Sequence, residues 1–296
     1  GSVDFLTRGI LASDESLGLT VFEAWNFAGH PYGHPLRGRA GVLPTLTLED
    51  VKTFLADRYV RPAVTLGVAG PAIDDRGIID PTALGASGLA QLRRDLSGLP
   101  PRLIVAPTPR RSPPVEGRNL LVIEKPTEST GVHFGHPLDV NRAHPDWPAL
   151  MLAFTALGEH RQSHGRLYKA LRGARGLNYG DYAYIEVFRQ AGWSSQQEPA
   201  TSALQGTFMT WLRPTAAENG PFALKSAIAL IEDFVDNGLS EAEFERTRTY
   251  LSGRVALWAD HPGRRLGWAV EARALNQPDP ISALPAALAS LDLATV

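Results

Sequence analysis

The sequence predicts an α+β protein, an antiparallel sheet flanked by helices. Three observations carry that prediction. Composition is globular: 296 residues, 44% hydrophobic and 20% charged, enough for one large domain or two ordinary ones. Periodicity after residue 118 runs strand, strand, helix, helix, strand, strand, helix, helix. That order segregates strands from helices and does not alternate them as parallel βαβ units do. Before residue 107 the order is helix, helix, strand, helix, a comparable unit without leading strands.

Residues 14–28, DESLGLTVFEAWNFA, have helical spacing, with Leu17, Val21, Phe22 and Trp25 on one face and Asp14 and Glu15 at the favourable end of the helix dipole. Gly29 stops this helix. A Pro/Gly loop, HPYGHPLRG, follows at 30–38, and its His30 and His34 are expected to bond locally. Thr47 is an N-cap with Asp50 three residues on, and Val51, Phe54 and Leu55 form an apolar helix face. AVTLGVAG at 63–70 reads as a strand ended by Gly70-Pro71. Residues 82–97 read as a helix with Leu84, Leu89, Leu92 and Leu96 inward.

PTPRRSPPVEGR, residues 107–118, is an extended Pro-rich linker, and the domain boundary is placed there. The expected domains are 1–106 and 119–296. NLLVIEKP (119–126) and TGVHFGHPL (130–138) read as strands, with His133 and His136 on opposite faces. HPDWPALMLAFTALGEH (144–160) is apolar nearly all round and predicts a buried helix. LGEHRQSHGRLYKALRGARGLNYGDYAYIEVF (157–188) predicts a helix, a glycine-rich turn and an edge-like strand, with Arg166, Arg172, Arg175, Tyr179, Tyr182 and Tyr184 around the turn. ALQGTFMTWLRP (203–214) alternates as a strand does. Phe222–Val235 is an amphipathic helix stopped at Asn237-Gly238. Ser240 caps a helix to about Asp260, another covers 264–275 with Arg264, Arg265 and Trp268 as a solvated face, and LDLATV opens a further capped element.

Several functions are excluded at this level. With no cysteine there is no disulfide framework, thiolate zinc site or cysteine nucleophile. A net charge of -2 gives no electrostatic reason to bind nucleic acid or an anionic membrane. No apolar run approaches the ~20 residues of a membrane span, so a soluble cytoplasmic or periplasmic protein is expected. Four lysines among 29 basic residues suggest a bacterial genome rich in G and C. Gly1-Ser2 reads as a cleavage scar, and the LDLATV end reads as cut.

His160 and His164 are four apart with Glu159 beside them. On one continuous helix they would share a face, as two zinc ligands must. No third ligand is placed and a break near Ser163 is expected, so a polar turn is the reading taken.

Three stretches carry a family resemblance: GHPYGHPLRG with LPTLTLEDVKTFLADRYVRPAVTLGVAG, then LGEHRQSHGRLYKALRGARGLNYGDYAY, then GLSEAEFERTRTYL. Together they resemble the pitrilysin/insulinase-type zinc metallopeptidases, relatives of which include mitochondrial processing peptidases and the core proteins of respiratory complexes. The second stretch, with its Leu-Arg and Arg-Gly-Leu-x-Tyr signature, is the specific one. The resemblance implies two similar clamshell domains, of which this chain holds the second half of the first and most of the second. It implies zinc for the intact enzyme, held by a His-x-x-Glu-His motif in the first domain. No such motif occurs in these residues. It also implies a substrate-binding pair, an arginine and a tyrosine seven apart, which maps onto Arg172 and Tyr179.

The expected function is the substrate-binding, zinc-free portion of a metalloendopeptidase that cleaves peptides or small unfolded proteins. Its expected partners are a peptide substrate and the missing zinc-bearing segment or a partner subunit, with homo- or heterodimers possible. A catalytically silent partner or scaffold is the alternative.

Overall fold

The computed structural model describes residues 2–35, 37–67, 85–104, 111–186, 198–199 and 204–296. Nine helices are described: α1 (Ser2–Ala12), α2 (Asp14–Asn26), α3 (Leu48–Arg58), α4 (Gly85–Ser97), α5 (Trp147–Gly158), α6 (Gly220–Asn237), α7 (Glu241–Ala256), α8 (Pro262–Leu275) and α9 (Pro280–Ser290). Three strands, β1 (Ser129–Leu138), β2 (Asp181–Tyr184) and β3 (Gly206–Ala216), form an antiparallel sheet in the order β1-β3-β2. The α+β reading holds.

The caps explain several boundaries. Thr47 and Asp50 close a capping box on α3, and Ser240 and Glu243 close another on α7. α6 stops at Gly238 with φ 63. Asp292 boxes a final short turn, as LDLATV predicts. Gly135 in β1 sits at φ +145, and a Cβ there would stand 1.9 Å from the Phe208 carbonyl oxygen, so only glycine lets β1 and β3 close at that point.

The sheet separates two layers. On one face Ala183 and Leu212 pack with Leu157, Leu167, Leu171, Ala223 and Ala227 from α5, the turn after it and α6. On the other, Tyr182, Tyr184, Met209 and Trp211 pack with Phe22 of α2. A third core joins α5, α7, α8 and α9 around Trp147, Leu152, Leu251, Trp258, Trp268 and Leu284.

Several expectations are corrected. Residues 119–126 form no strand, and Leu120, Leu121, Val122 and Ile123 are 79%, 50%, 68% and 44% exposed. β-propensity alone does not make a strand without a partner ladder. Residues 64–67 are likewise unpaired, and 68–70 lie outside the described residues. The start of the 82–97 helix, with Leu84, also lies outside them. The apolar face of α3 is exposed: Val51, Phe54 and Leu55 are 48%, 58% and 45% accessible. On α2 the buried face is Phe22, Glu23 and Asn26, while Trp25 is 48% exposed. Trp268 is fully buried, stacks on Trp258 at 5.8 Å and donates to its carbonyl, so it belongs to the core and not to a solvated face. Arg264 also turns inward, to the Trp258 carbonyl and Glu198. No described helix is long and apolar enough to cross a membrane.

Candidate functional site

α5 ends at Gly158, short of the histidines. Arg161 takes a left-handed conformation (φ 58), and the chain turns before helix resumes at Arg166. Tyr168–Gly173 is then wound as a π-helix, in which Ala174 N–H reaches the Lys169 carbonyl five residues back. π-helical turns widen a helix and re-aim its side chains, and they recur at functional sites. Gly176, at φ +63, closes the helix: its N–H donates to the Arg172 carbonyl, and Leu177 N–H donates to the Leu171 carbonyl. The next four residues reach β2.

This path brings Arg172 and Tyr179 together. The Arg172 guanidinium lies 5.8 Å from the Tyr179 ring centroid and 3.3 Å from the Tyr179 carbonyl oxygen, to which it donates. It also hydrogen bonds the Tyr168 hydroxyl and sits 5.0 Å from the Tyr168 ring centre. Tyr168, one helical turn before Arg172, was not foreseen, although the four-residue spacing is visible in the sequence. Tyr179 is 72% exposed. Both residues line an open cleft of about 860 Å³ with Thr127, Glu128, Asn178 and Thr215. The cleft floor is fixed by polar bonds. Thr215 Oγ1 donates to the Leu177 carbonyl at 2.6 Å, and Asn178 Nδ2 donates to Asp181 at 2.6 Å and to the Arg213 carbonyl at 3.1 Å.

The other residues of this segment go elsewhere. Arg166 is bound to Glu243 at 2.7 Å and to the Gly238 carbonyl, a staple between the π-helix and the α6–α7 corner. That pairing holds the Glu243 carboxyl down to about 2. Arg175 donates to the Ala170 carbonyl. Tyr182 and Tyr184 are buried behind the sheet.

His160 and His164 do not form a metal pair. Because the helix has ended, they share no helical face. His160 is 3% exposed, its Nδ1 lies 2.6 Å from the Tyr184 hydroxyl, and its ring packs on Tyr182 and Trp211. His164 packs against Tyr250 at 4.5 Å, and burial lowers its pKa. Among the described residues no group of three or more metal-donor side chains could hold an ion. His133, stacked on Trp211 at 5.9 Å, is pushed down to about 4 by burial, while His136 packs on Phe208 from the opposite face. His30 caps its own loop, accepting from Tyr32 N–H.

β2 is an edge strand, but its outer edge is covered. A Cβ on Gly158 would stand 3.3 Å from both Ala183 N and Asp181 O, so the end of α5 lies against those backbone groups. All four residues of β2 are buried. Addition of an extended peptide at this edge is blocked at these positions.

Curated relatives include uncharacterized zinc proteases of Mycobacterium tuberculosis and Mycobacterium bovis, each 26% identical over 251 residues, covering 83% of this chain and 50% of the relative. The chain thus spans about half the length of these relatives. In overall fold it matches a peptidase M16 inactive domain structure from Pseudomonas fluorescens (TM-score 0.70, 21% identity, 99% of this chain and 65% of that one). It also matches a protease structure from Helicobacter pylori (TM-score 0.69, 15% identity, 94% of this chain and 62% of that one). The family described as peptidase M16 inactive domain matches residues 86–251, more than half of the chain, spanning the sheet, the π-helical turn and the Arg172–Tyr179 cleft. On that match the chain belongs to the peptidase M16 family, through the family's inactive domain.

Proposed function

We propose that this chain is the substrate-holding, zinc-free portion of a zinc metalloendopeptidase acting on peptides or small unfolded proteins, with Arg172 and Tyr179 as the holding pair. The observation that carries the reading is their convergence on one open cleft. The guanidinium is fixed from one side by Tyr168 and the Tyr179 carbonyl. Its remaining N–H groups can donate to a peptide carbonyl or a terminal carboxylate, a charge-assisted bond worth about 1.5–3 kcal/mol. The exposed Tyr179 phenol, whose ring centre lies 5.8 Å from the guanidinium, adds a second donor. A donor pair held this way stabilises a developing oxyanion in the same manner as it binds a carbonyl. Zinc, supplied by another segment, would provide the hydrolytic chemistry. The description of the mycobacterial relatives as zinc proteases supports that assignment.

The partner in this reading is that zinc-bearing segment, on the same polypeptide or on another subunit. Two apolar surfaces that are exposed among the described residues support it. One is the α3 stripe with Leu48 71% exposed, and the other is the extended run Leu120–Ile123. Four consecutive aliphatic residues with both faces open are the pattern of a strand buried on both sides. The chain's half-length coverage of its relatives leaves room for the segment that would cover them.

Binding to reduced, carboxymethylated α-lactalbumin, an unfolded small protein, tests the holding pair. Arg172→Ala is expected to weaken it roughly tenfold or more, since each 1.4 kcal/mol is a factor of about ten. Tyr179→Phe should weaken it by about two- to tenfold for one neutral hydrogen bond. Unchanged affinity in both variants refutes the holding role. A silent scaffold of the same family is the second reading. It predicts no His-x-x-Glu-His motif in the intact gene.

A further inference from the structure

The turn that presents Tyr179 is anchored by a carboxylate with no counter-charge among the described residues. Asp181 is fully buried and lies in β2 opposite Leu212, on the sheet face lined by Leu167, Leu171 and Ala183. One of its oxygens accepts from Asn178 Nδ2 at 2.6 Å, and Oδ2 has no hydrogen-bond partner. Asn178 in turn reaches the Arg213 carbonyl through the same amide nitrogen and accepts Gly180 N–H at 3.1 Å through its own oxygen. Asn178 and Gly180 flank Tyr179 on either side, and the Tyr179 carbonyl is the acceptor for Arg172.

We propose that Asn178 and Asp181 are positioning residues for the Arg172–Tyr179 site, the ionised Asp181 carboxylate orienting the Asn178 amide that fixes the backbone on both sides of Tyr179. The inference rests on the substrate-holding reading above and deepens it. If the pair served the fold alone, a neutral amide would serve at position 181 without the cost of a buried charge. Groups that destabilise a fold and persist beside a binding cleft are found where position or charge is used.

Burial pushes the Asp181 carboxyl up to about 6, and the Asn178 bond draws it partly back. The charged groups on the surrounding elements are Lys169 and Arg172 on the π-helix, Arg175 just after it, Lys225 on α6 and Arg213 on β3. Tyr182, the neighbouring titratable group, faces the other side of the sheet and hydrogen bonds Arg213. The folded state therefore holds a proton at Asp181 that the unfolded chain releases between about pH 4 and 6. Stability falls as pH rises through that window, while the ionised, orienting form is gained.

The test compares wild type with Asp181→Asn, an isostere that resembles the protonated acid. Affinity for labelled, carboxymethylated α-lactalbumin is measured from pH 5 to 8, with thermal midpoints and hydrogen exchange of the Tyr179 and Gly180 amides in the free proteins. At pH 8 Asp181→Asn is expected to raise the midpoint yet bind at least fivefold more weakly, with faster exchange at Gly180. The affinity ratio should approach one below pH 5.5, where wild type is itself protonated. Asn178→Ala should speed exchange at Gly180 at every pH. Equal affinity and equal exchange at pH 8 overturn the proposal. If wild type fails to bind, or Arg172→Ala changes nothing, the substrate-holding reading falls by itself. The exchange measurement needs no ligand and still decides whether Asp181 orders the turn.

Discussion

Two turns lie within one stretch of sequence and have opposite characters. The first, around His160, is closed on itself: buried imidazole, Tyr184 hydroxyl at 2.6 Å, aromatic rings on two sides. The second, around Arg172 and Tyr179, is open: a 72% exposed phenol and a guanidinium bonded to one hydroxyl and one carbonyl, beside a cleft. Both contain residue types that perform chemistry. The difference is satisfaction. A polar group whose partners are already within the protein contributes to the fold, and one left with unused donors at the surface can serve a ligand. The two turns should therefore respond oppositely to substitution, one in stability and the other in binding.

The largest expected effect lies between them. Leu171 is fully buried in the layer beneath the π-helix. Leu171→Ala should destabilise by about 2–5 kcal/mol, transfer and cavity terms together. Because Leu171 also carries the carbonyl that accepts Leu177 N–H, the Tyr179 turn should loosen with it. Chemical denaturation and peptide titration should both report the loss. A variant that unfolds earlier yet binds normally would uncouple the π-helix from the cleft.

Next in size is Tyr184→Phe, which removes the His160 partner hydroxyl inside the core. Loss of one member of a buried polar pair is expected to cost about 1–3 kcal/mol. Affinity for unfolded protein should not change. By contrast Arg172→Ala, which removes a half-buried guanidinium and its bonds to Tyr168 and the Tyr179 carbonyl, should cost about 1 kcal/mol in stability and act mainly on binding. If Tyr184→Phe weakened binding while leaving stability alone, the closed turn would be functional and the contrast would fail.

How much of this was legible in sequence follows from how local each feature is. Caps at Thr47 and Ser240, the buried helix within 144–160 and the strands at 130–138 and 203–214 depend on nearby residues, and each was read correctly. Arg172 and Tyr179 were placed by family resemblance, and the Gly176 turn between them explains why they meet. Tyr168 was missed because the π-helix changes what its four-residue spacing to Arg172 means. Asp181, with Tyr182 and Tyr184, was read as the alternating faces of a strand and not as chemistry, because a lone aspartate in a strand pattern gives no sign that it is buried. The unpaired run at 120–123 was read as a strand from propensity, and the exposed α3 stripe as an apolar helix face from its spacing. Propensity shows that such residues want cover, but not whether these residues supply it.

The smallest and most specific effect is expected at Gly176. Its φ of +63 is left-handed, and a Cβ there would meet no atom within 4 Å. Gly176→Ala therefore has no clash to relieve and adds only the backbone strain of a side chain in that region, about 1 kcal/mol. The Gly176 N–H to Arg172 carbonyl bond closes the helix three residues before Tyr179, so any shift in φ is transmitted directly to the angle between guanidinium and phenol. A modest stability loss with a larger fractional loss of affinity, beyond the fivefold or so that 1 kcal/mol can explain, would mean the open turn works by preorganisation. Equal small losses in both would mean it works only by carrying the right side chains.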